Sequence, residues 1–177
     1  YQKGFGRLSK KDHEVINWAL EVTGTEAYKY MAVDNLSGGQ RQRVWIAMAL
    51  AQETEMIFLD EPTTYLDMTH QLEVLELLRK LNKEEGRTIV MVLHDLNQAA
   101  RFSDYMIALK NGRVVKAGTS EEIMQPAVLR EVFQIDAVIS RDPRTGTPMC
   151  LTYDLIKGED LNEKNHHSVY PLARTAN

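Results

Sequence analysis

Met56-Ile57-Phe58-Leu59-Asp60-Glu61-Pro62 is an unbroken apolar run that ends in two adjacent carboxylates and a proline. A run so short and so apolar reads as a strand buried on both faces, and proline stops it because it cannot donate to a ladder. A second such run, Thr88 to Leu93 (TIVMVL), ends in His94. Between them, after Asp67, Val74, Leu77, Leu78 and Leu81 recur at helical spacing, and Gly86 follows the polar run from Asn82 to Glu85 as a C-cap. Strand, helix and strand in this order make a right-handed crossover, so the expected sheet is parallel. Asp60, Glu61 and His94 then share its carboxyl edge, where such sheets bind their ligands. The fold class is α/β.

On the amino-terminal side, Ser9-Lys10-Lys11-Asp12 resembles a capping box, and Val15, Ile16, Ala19 and Leu20 give the following helix an apolar face up to Gly24. Another helix starts at Ser37. There Val44, Ala47, Met48 and Ala51 fall at i, i+3, i+4 and i+7, and Trp45, Ile46 and Leu50 widen the stripe until burial is expected on most sides. On the carboxyl side a short helix spans Asp95 to Ser103, and YMIALK and RVVKAG flank Asn111-Gly112, the dipeptide best suited to a type I′ hairpin turn. Thr119-Ser120-Glu121-Glu122 and Pro126 open two further helices, and DAVIS and MCLTYDL form a closing pair of strands. From Lys157 the chain is polar and patternless, so a disordered tail is expected.

The chain has 177 residues and a formal net charge of -4, enough for a sizeable core. Its mild acidity, with both signs interspersed, argues against a nucleic-acid partner. No apolar run is long enough to span a membrane, and the first residues do not read as a signal peptide. Cys150 stands alone, which fits a reducing compartment and a buried thiol. The first residue is Tyr1, not Met, as expected of a piece of a longer protein.

Chemistry is concentrated in a few short segments. Leu36-Ser37-Gly38-Gly39-Gln40-Arg41-Gln42-Arg43 puts a serine and two glycines at a helix start, where unpaired N–H groups and the positive end of the dipole suit a phosphate. An ordinary serine-capped helix has the same pattern. Arg41 and Arg43 either face phosphate or are solvated, and Asn35-Leu36-Ser37 is a chance glycosylation sequon. At the strand end, one of Asp60 and Glu61 can hold Mg²⁺ while its neighbour orients or deprotonates a water, although two solvated acids are the plainer alternative. His94 can donate a hydrogen bond to a transferred phosphate. His166-His167 supplies too few ligands for a closed metal site, and the scattered methionines read as core filling.

The order LSGGQRQR, an apolar strand with Asp60-Glu61-Pro62, Thr63-Thr64-Tyr65-Leu66-Asp67, then a strand ending in His94-Asp95, resembles the signature motif, Walker B, D-loop and switch histidine of ABC ATPases. TTYLD, HDLNQAARFSD, GTSEEIM and PMC look most like the ATPases of bacterial importers of iron-siderophore complexes, haem or cobalamin. The resemblance implies a homodimer with two composite ATP sites. Ser37, Gly38, Gly39 and Gln40 would contact the γ-phosphate of the partner's ATP. Asp60 would assist Mg²⁺, Glu61 would polarise the attacking water, His94 would hold the γ-phosphate, and Asp67 would connect the sites. It further implies polytopic permease subunits, an indirectly coupled substrate-binding protein, and a location at the cytoplasmic face of the cell membrane.

On that pattern residues 1–50 form a helical signature subdomain, 51–118 the later half of a P-loop NTPase core, 119–156 a carboxyl-terminal extension and 157–177 the tail. One departure is large, because Walker A requires G-x-x-x-x-G-K-[ST] and no Gly-Lys dipeptide occurs in the chain. The chain by itself is therefore expected to be inactive. Two other readings stay open: an ABC-type ATPase of DNA repair or translation, and a non-catalytic regulatory module. Intact Glu61 and His94 argue against the second.

Overall fold

The computed structural model describes residues 8–156, so the expected tail from Lys157 and the His166-His167 pair lie outside it. Two compact units divide between Phe102 and Ser103.

The first unit begins with α1 (Lys10–Thr23), whose capping box closes reciprocally. The Asp12 N–H donates to Ser9 Oγ at 3.1 Å, and the Ser9 N–H donates to Asp12 Oδ2 at 2.7 Å. It ends at Gly24, which takes the left-handed conformation with φ 65°. Then come α2 (Gly38–Leu50), β1 (Met56–Leu59), α3 (Met68–Glu85), β2 (Thr88–Met91) and α4 (Leu96–Phe102). Strands β1 and β2 pair in parallel with Leu59 opposite Met91, so the strand–helix–strand crossover expected from the sequence is present.

The core of this unit joins Ala19 of α1, Ile46, Ala47 and Leu50 of α2, Ile57 of β1, and Val74, Leu78 and Leu81 of α3. Burial of each large aliphatic side chain stabilises the unit by about 1.5–3 kcal/mol relative to exposure. Leu59, Ile89 and Met91 extend this packing on the same face of the sheet. The opposite face corrects the expectation of strands buried on both sides. Met56, Phe58, Val90 and Val92 are exposed there, Phe58 at 71 %. The cause is the period of two along a strand: the alternate residues point away from the helices, and no described segment covers them. Helix α2 departs in the same way. Ile46, Ala47 and Leu50 are buried, but Trp45 and Met48 on its other side are exposed.

The second unit holds the hairpin β3 (Met106–Lys110) and β4 (Arg113–Gly118), then α5 (Ser120–Ile123), α6 (Pro126–Phe133), β5 (Ile135–Arg141) and β6 (Pro148–Leu155). Asn111 and Gly112 both have positive φ, 52° and 73°, as a type I′ turn requires. Ala108, Ile123 and Val132 form its core cluster. Strands β5 and β6 are antiparallel, and Cys150 between them is buried, which pushes its thiol pKa up. Among the described residues no helix is long and apolar enough to cross a membrane.

Candidate functional site

Beyond Leu59 the chain turns sharply out of β1. Glu61 has φ 45° and Tyr65 φ 64°, left-handed values that side chains other than glycine adopt at a cost. The turn aims the Glu61 carboxylate across the sheet edge. The parallel ladder continues one step, with the Val92 N–H donating to Leu59 O at 3.0 Å, so His94 leaves β2 beside Glu61. His94 Nε2 lies 2.6 Å from Glu61 Oε1, and Thr64 Oγ1 donates to Glu61 Oε2 at 2.8 Å.

These bonds set the charges. The His94 bond, then the Thr64 bond, hold the Glu61 carboxyl below its ordinary pKa. The Glu61 bond and charge, with a smaller contribution from Asp60, raise the His94 pKa. An ionised Glu61 can only accept here, so Nε2–H of His94 is the donor, and each partner favours the charged form of the other. Both side chains line a cavity of about 150 Å³ with Thr63, Thr64, Gln71 and Gln98 among its walls. Gln71 Nε2 donates to Leu66 O at 3.0 Å and Thr63 O at 3.3 Å, and Gln98 Nε2 donates to Gln71 Oε1 at 2.7 Å. The two glutamines thus hold the loop that follows Glu61.

Asp60 is exposed at the end of β1. Among the described residues no group of three or more His, Cys, Asp and Glu side chains could cage a metal. One exposed carboxylate with a second beside it instead fits an ion that takes one or two carboxylates and completes its shell with phosphate oxygens and water, as Mg²⁺ does.

The Ser37 segment forms a second cluster. Ser37 caps α2 in a reciprocal box: the Gln40 N–H donates to Ser37 Oγ at 3.3 Å and the Ser37 N–H donates to Gln40 Oε1 at 3.0 Å. Gln40 Nε2 also donates to Tyr28 Oη at 3.1 Å. The helix geometry gives the first-turn N–H groups of Gly38 and Gly39 no intrahelical acceptor. A side chain at Gly39 has no room, because a Cβ there would lie 2.5 Å from His70 Cδ2. Asp67 caps α3 through the His70 N–H at 2.9 Å and also bonds His70 Nδ1 at 2.8 Å. The structure thus brings Glu61 together with His94, and Ser37–Gln40 together with Asp67 through His70. Arg41 and Arg43 are engaged by the fold, Arg41 Nη2 donating to Leu36 O at 3.3 Å and Arg43 pairing with Glu73.

A larger groove of about 610 Å³ runs between the end of α1 and one flank of α3. Six of its charges pair as Arg43–Glu73, Arg79–Glu76 and Lys80–Glu84, and Glu21 and Lys83 add one of each sign, so the lining carries no net charge.

A serine-capped helix start with two glycines and a strand-end carboxylate–histidine pair beside parallel strands describe an α/β protein with the chemistry to suit a phosphate ligand, and the profile of the family described as ABC transporter matches residues 4–64. The chain belongs to the ABC transporter ATP-binding family, whose members bind ATP. It is 66 % identical over 159 residues to the iron(3+)-hydroxamate import ATP-binding protein FhuC of Bacillus subtilis (strain 168), a match covering 90 % of this chain and 59 % of that protein. Among solved structures, a metal-chelate type ABC transporter in an inward-facing conformation matches with a TM-score of 0.76 at 28 % identity, over 84 % of this chain and 60 % of that one. The dimeric, post-hydrolysis cassette MJ0796 bound to ADP and Pi matches at 0.54 and 38 % identity, over 66 % of this chain and 51 % of that one. The chain thus spans little more than half the length of these relatives.

Proposed function

We propose that this chain supplies the signature, Walker B, D-loop and switch-histidine portion of an ATP-hydrolysing subunit that energises import of an iron-siderophore or related metal chelate. The observation that carries the reading is the Glu61–His94 pair at the carboxyl edge of the parallel strands. In this reading residues 1–50 are the signature subdomain, 51–118 the later half of the ATPase core and 119–156 an extension. The subunit pairs with a second copy and with membrane permeases at the cytoplasmic face of the membrane. The likeness to FhuC supports the cargo class.

The chemistry follows from the residues. Glu61 accepts a proton from, or orients, the attacking water. Its hydrogen bond to His94 has to open for this, because a carboxylate that already accepts a hydrogen bond from His94 is a weakened base. His94 then carries its Nε2–H to the γ-phosphate as charge develops there. Asp60 and the phosphates would hold Mg²⁺, which supplies charge neutralisation when bound. Ser37, Gly38, Gly39 and Gln40 present their helix start to the ATP held by the partner copy, and Asp67 links the two sites.

The test is phosphate release by the complete subunit, made by putting this chain in place of the matching part of a full-length relative. Magnesium-dependent turnover is expected, and Glu61→Gln should lower it by roughly 10² to 10⁴ while ATP-bound dimers accumulate on gel filtration. Asp60→Asn should weaken magnesium-dependent binding and yield little dimer. Near-normal turnover in Glu61→Gln, or stable dimers only in Asp60→Asn, would reverse the assignment of the two acids.

A further inference from the structure

His70 is absent from the roles assigned above, yet it touches both halves of the second cluster. Its backbone N–H and its ring Nδ1 both bond Asp67 Oδ1, at 2.9 and 2.8 Å. Two bonds to one oxygen fix the rotamer of each side chain, and they hold the Asp67 carboxyl below its ordinary pKa. The opposite edge of the imidazole lies against the first turn of α2. A Cβ on Gly39 would meet His70 Cδ2 at 2.5 Å, Cγ at 3.0 Å and Cβ at 3.3 Å, so backbone and ring are in full contact with no space for a methyl group. Next to it, a Cβ on Gly38 would lie 3.4 Å from Leu66 Cδ2. The turn that starts α2 therefore rests on residues 66 to 70.

We propose that His70 is a positioning residue that locks the Ser37–Gln40 turn to the Asp67 loop, so that the two shift as one body when the ATP sites close. The inference rests on the functional reading above, in which the turn serves the partner's ATP and Asp67 links the two sites. A rigid link between them makes the geometry of one site depend on the other. Ordinary capping of α3 does not require it, since the Asp67 carboxylate reaches the His70 backbone N–H whatever side chain residue 70 carries. The imidazole adds both the second bond to Asp67 and the wall against Gly39. A closely packed backbone against a fixed ring has few alternative arrangements, and that is what lets a small displacement pass from one element to the next.

The experiment compares His70→Ala and His70→Asn in the complete subunit, measuring ATP affinity of the monomer, kcat, and the Hill coefficient for ATP. Expected for His70→Ala are affinity within about twofold of the parent, kcat down about tenfold, and a Hill coefficient falling from about 2 toward 1, because coupling between sites has been removed and binding has not. His70→Asn, whose amide can still donate to Asp67, should recover part of kcat. A His70→Ala protein with the parent's kcat and Hill coefficient overturns the proposal, and so does an Asn variant no better than Ala.

A parent without magnesium-dependent turnover would count against the functional reading and not against His70. In that event a double-mutant cycle on thermal midpoints decides the matter for the contact itself. Gly39→Ala must cost less in the His70→Ala background than alone, because removal of the ring makes room for the new methyl. Equal cost in both backgrounds overturns the link between turn and loop.

Discussion

Glu61 is held twice over, by a left-handed backbone at φ 45° and by hydrogen bonds from His94 and Thr64. Backbone strain of this kind costs about 1–3 kcal/mol and persists where the surroundings over-determine it. The raised His94 pKa has a definite consequence for pH. Its share of the pair's stability is fully present below the ordinary histidine value of 6.5 and is lost as pH rises through the higher folded value. The share of Glu61 is present above its ordinary value of 4.5 and is lost as pH falls through its depressed one. The pair thus stays closed across the range between the two ordinary values. Ring NMR titration of His94 in this chain should give a pKa above 6.5, and Glu61→Gln should bring it back toward that value; an unshifted His94 would contradict the observed bond. At Ser37 the expectation is different. In the complete subunit Ser37→Arg should abolish turnover and leave monomer ATP binding nearly intact, because a long cation at the start of α2 would occupy the partner's phosphate position. Filter binding of ATP and phosphate release check the two halves of that statement, and loss of monomer binding would assign Ser37 to the wrong site. Asp60, Glu61, Ser37 and His94 stood out in the sequence because strand ends and helix starts carry chemistry by position alone. Thr64, His70, Gln71 and Gln98 did not, since their partners depend on how the chain turns after Pro62, and no local pattern encodes that turn.

Among the elements, caps were the most legible feature. Ser9, Ser37 and Asp67 each accept a first-turn N–H, and Gly24 and Gly86 close α1 and α3 in the left-handed conformation. Such signals are local, which is why composition and spacing reveal them. Burial is not local, and it misled at both β1 and α2. Apolar content indicated that Phe58, Trp45 and Met48 belong against other chain, but only the fold reveals which of their neighbours are present among residues 8–156. A prediction at this scale concerns Gly86, which has φ 66° and no heavy atom within 4 Å of where a Cβ would stand. Gly86→Ala meets no clash, so its whole effect is the left-handed backbone, and a loss of about 1 kcal/mol is expected. Urea denaturation of this chain followed by circular dichroism measures it. A change near zero would mean that α3 unwinds at its end without cost.

For the whole molecule, the exposed face of β1 and β2 is expected to govern association in solution. Met56, Phe58, Val90 and Val92 line up on it, and parallel strands are ordinarily covered on both faces. A contiguous apolar patch on a parallel sheet favours association with any apolar surface available, including a second copy of the chain. Purified as these 177 residues, the protein should therefore bind a hydrophobic dye and sediment with a mass that grows with concentration. Phe58→Ser should reduce both effects. At 71 % exposure Phe58 contributes little to the interior, so its thermal midpoint should hardly fall. The same preparation should neither bind ATP tightly nor hydrolyse it, because the chain contains no Gly-Lys dipeptide to cradle the phosphates, and in the proposed function the Ser37 turn acts on nucleotide held by another copy. Titration calorimetry and a phosphate-release assay on the Phe58→Ser variant avoid the confusion that aggregation would bring. Micromolar affinity with sustained magnesium-dependent turnover would mean that the residues present here suffice for catalysis, and the division of labour between Glu61, His94 and the missing phosphate loop would have to be redrawn.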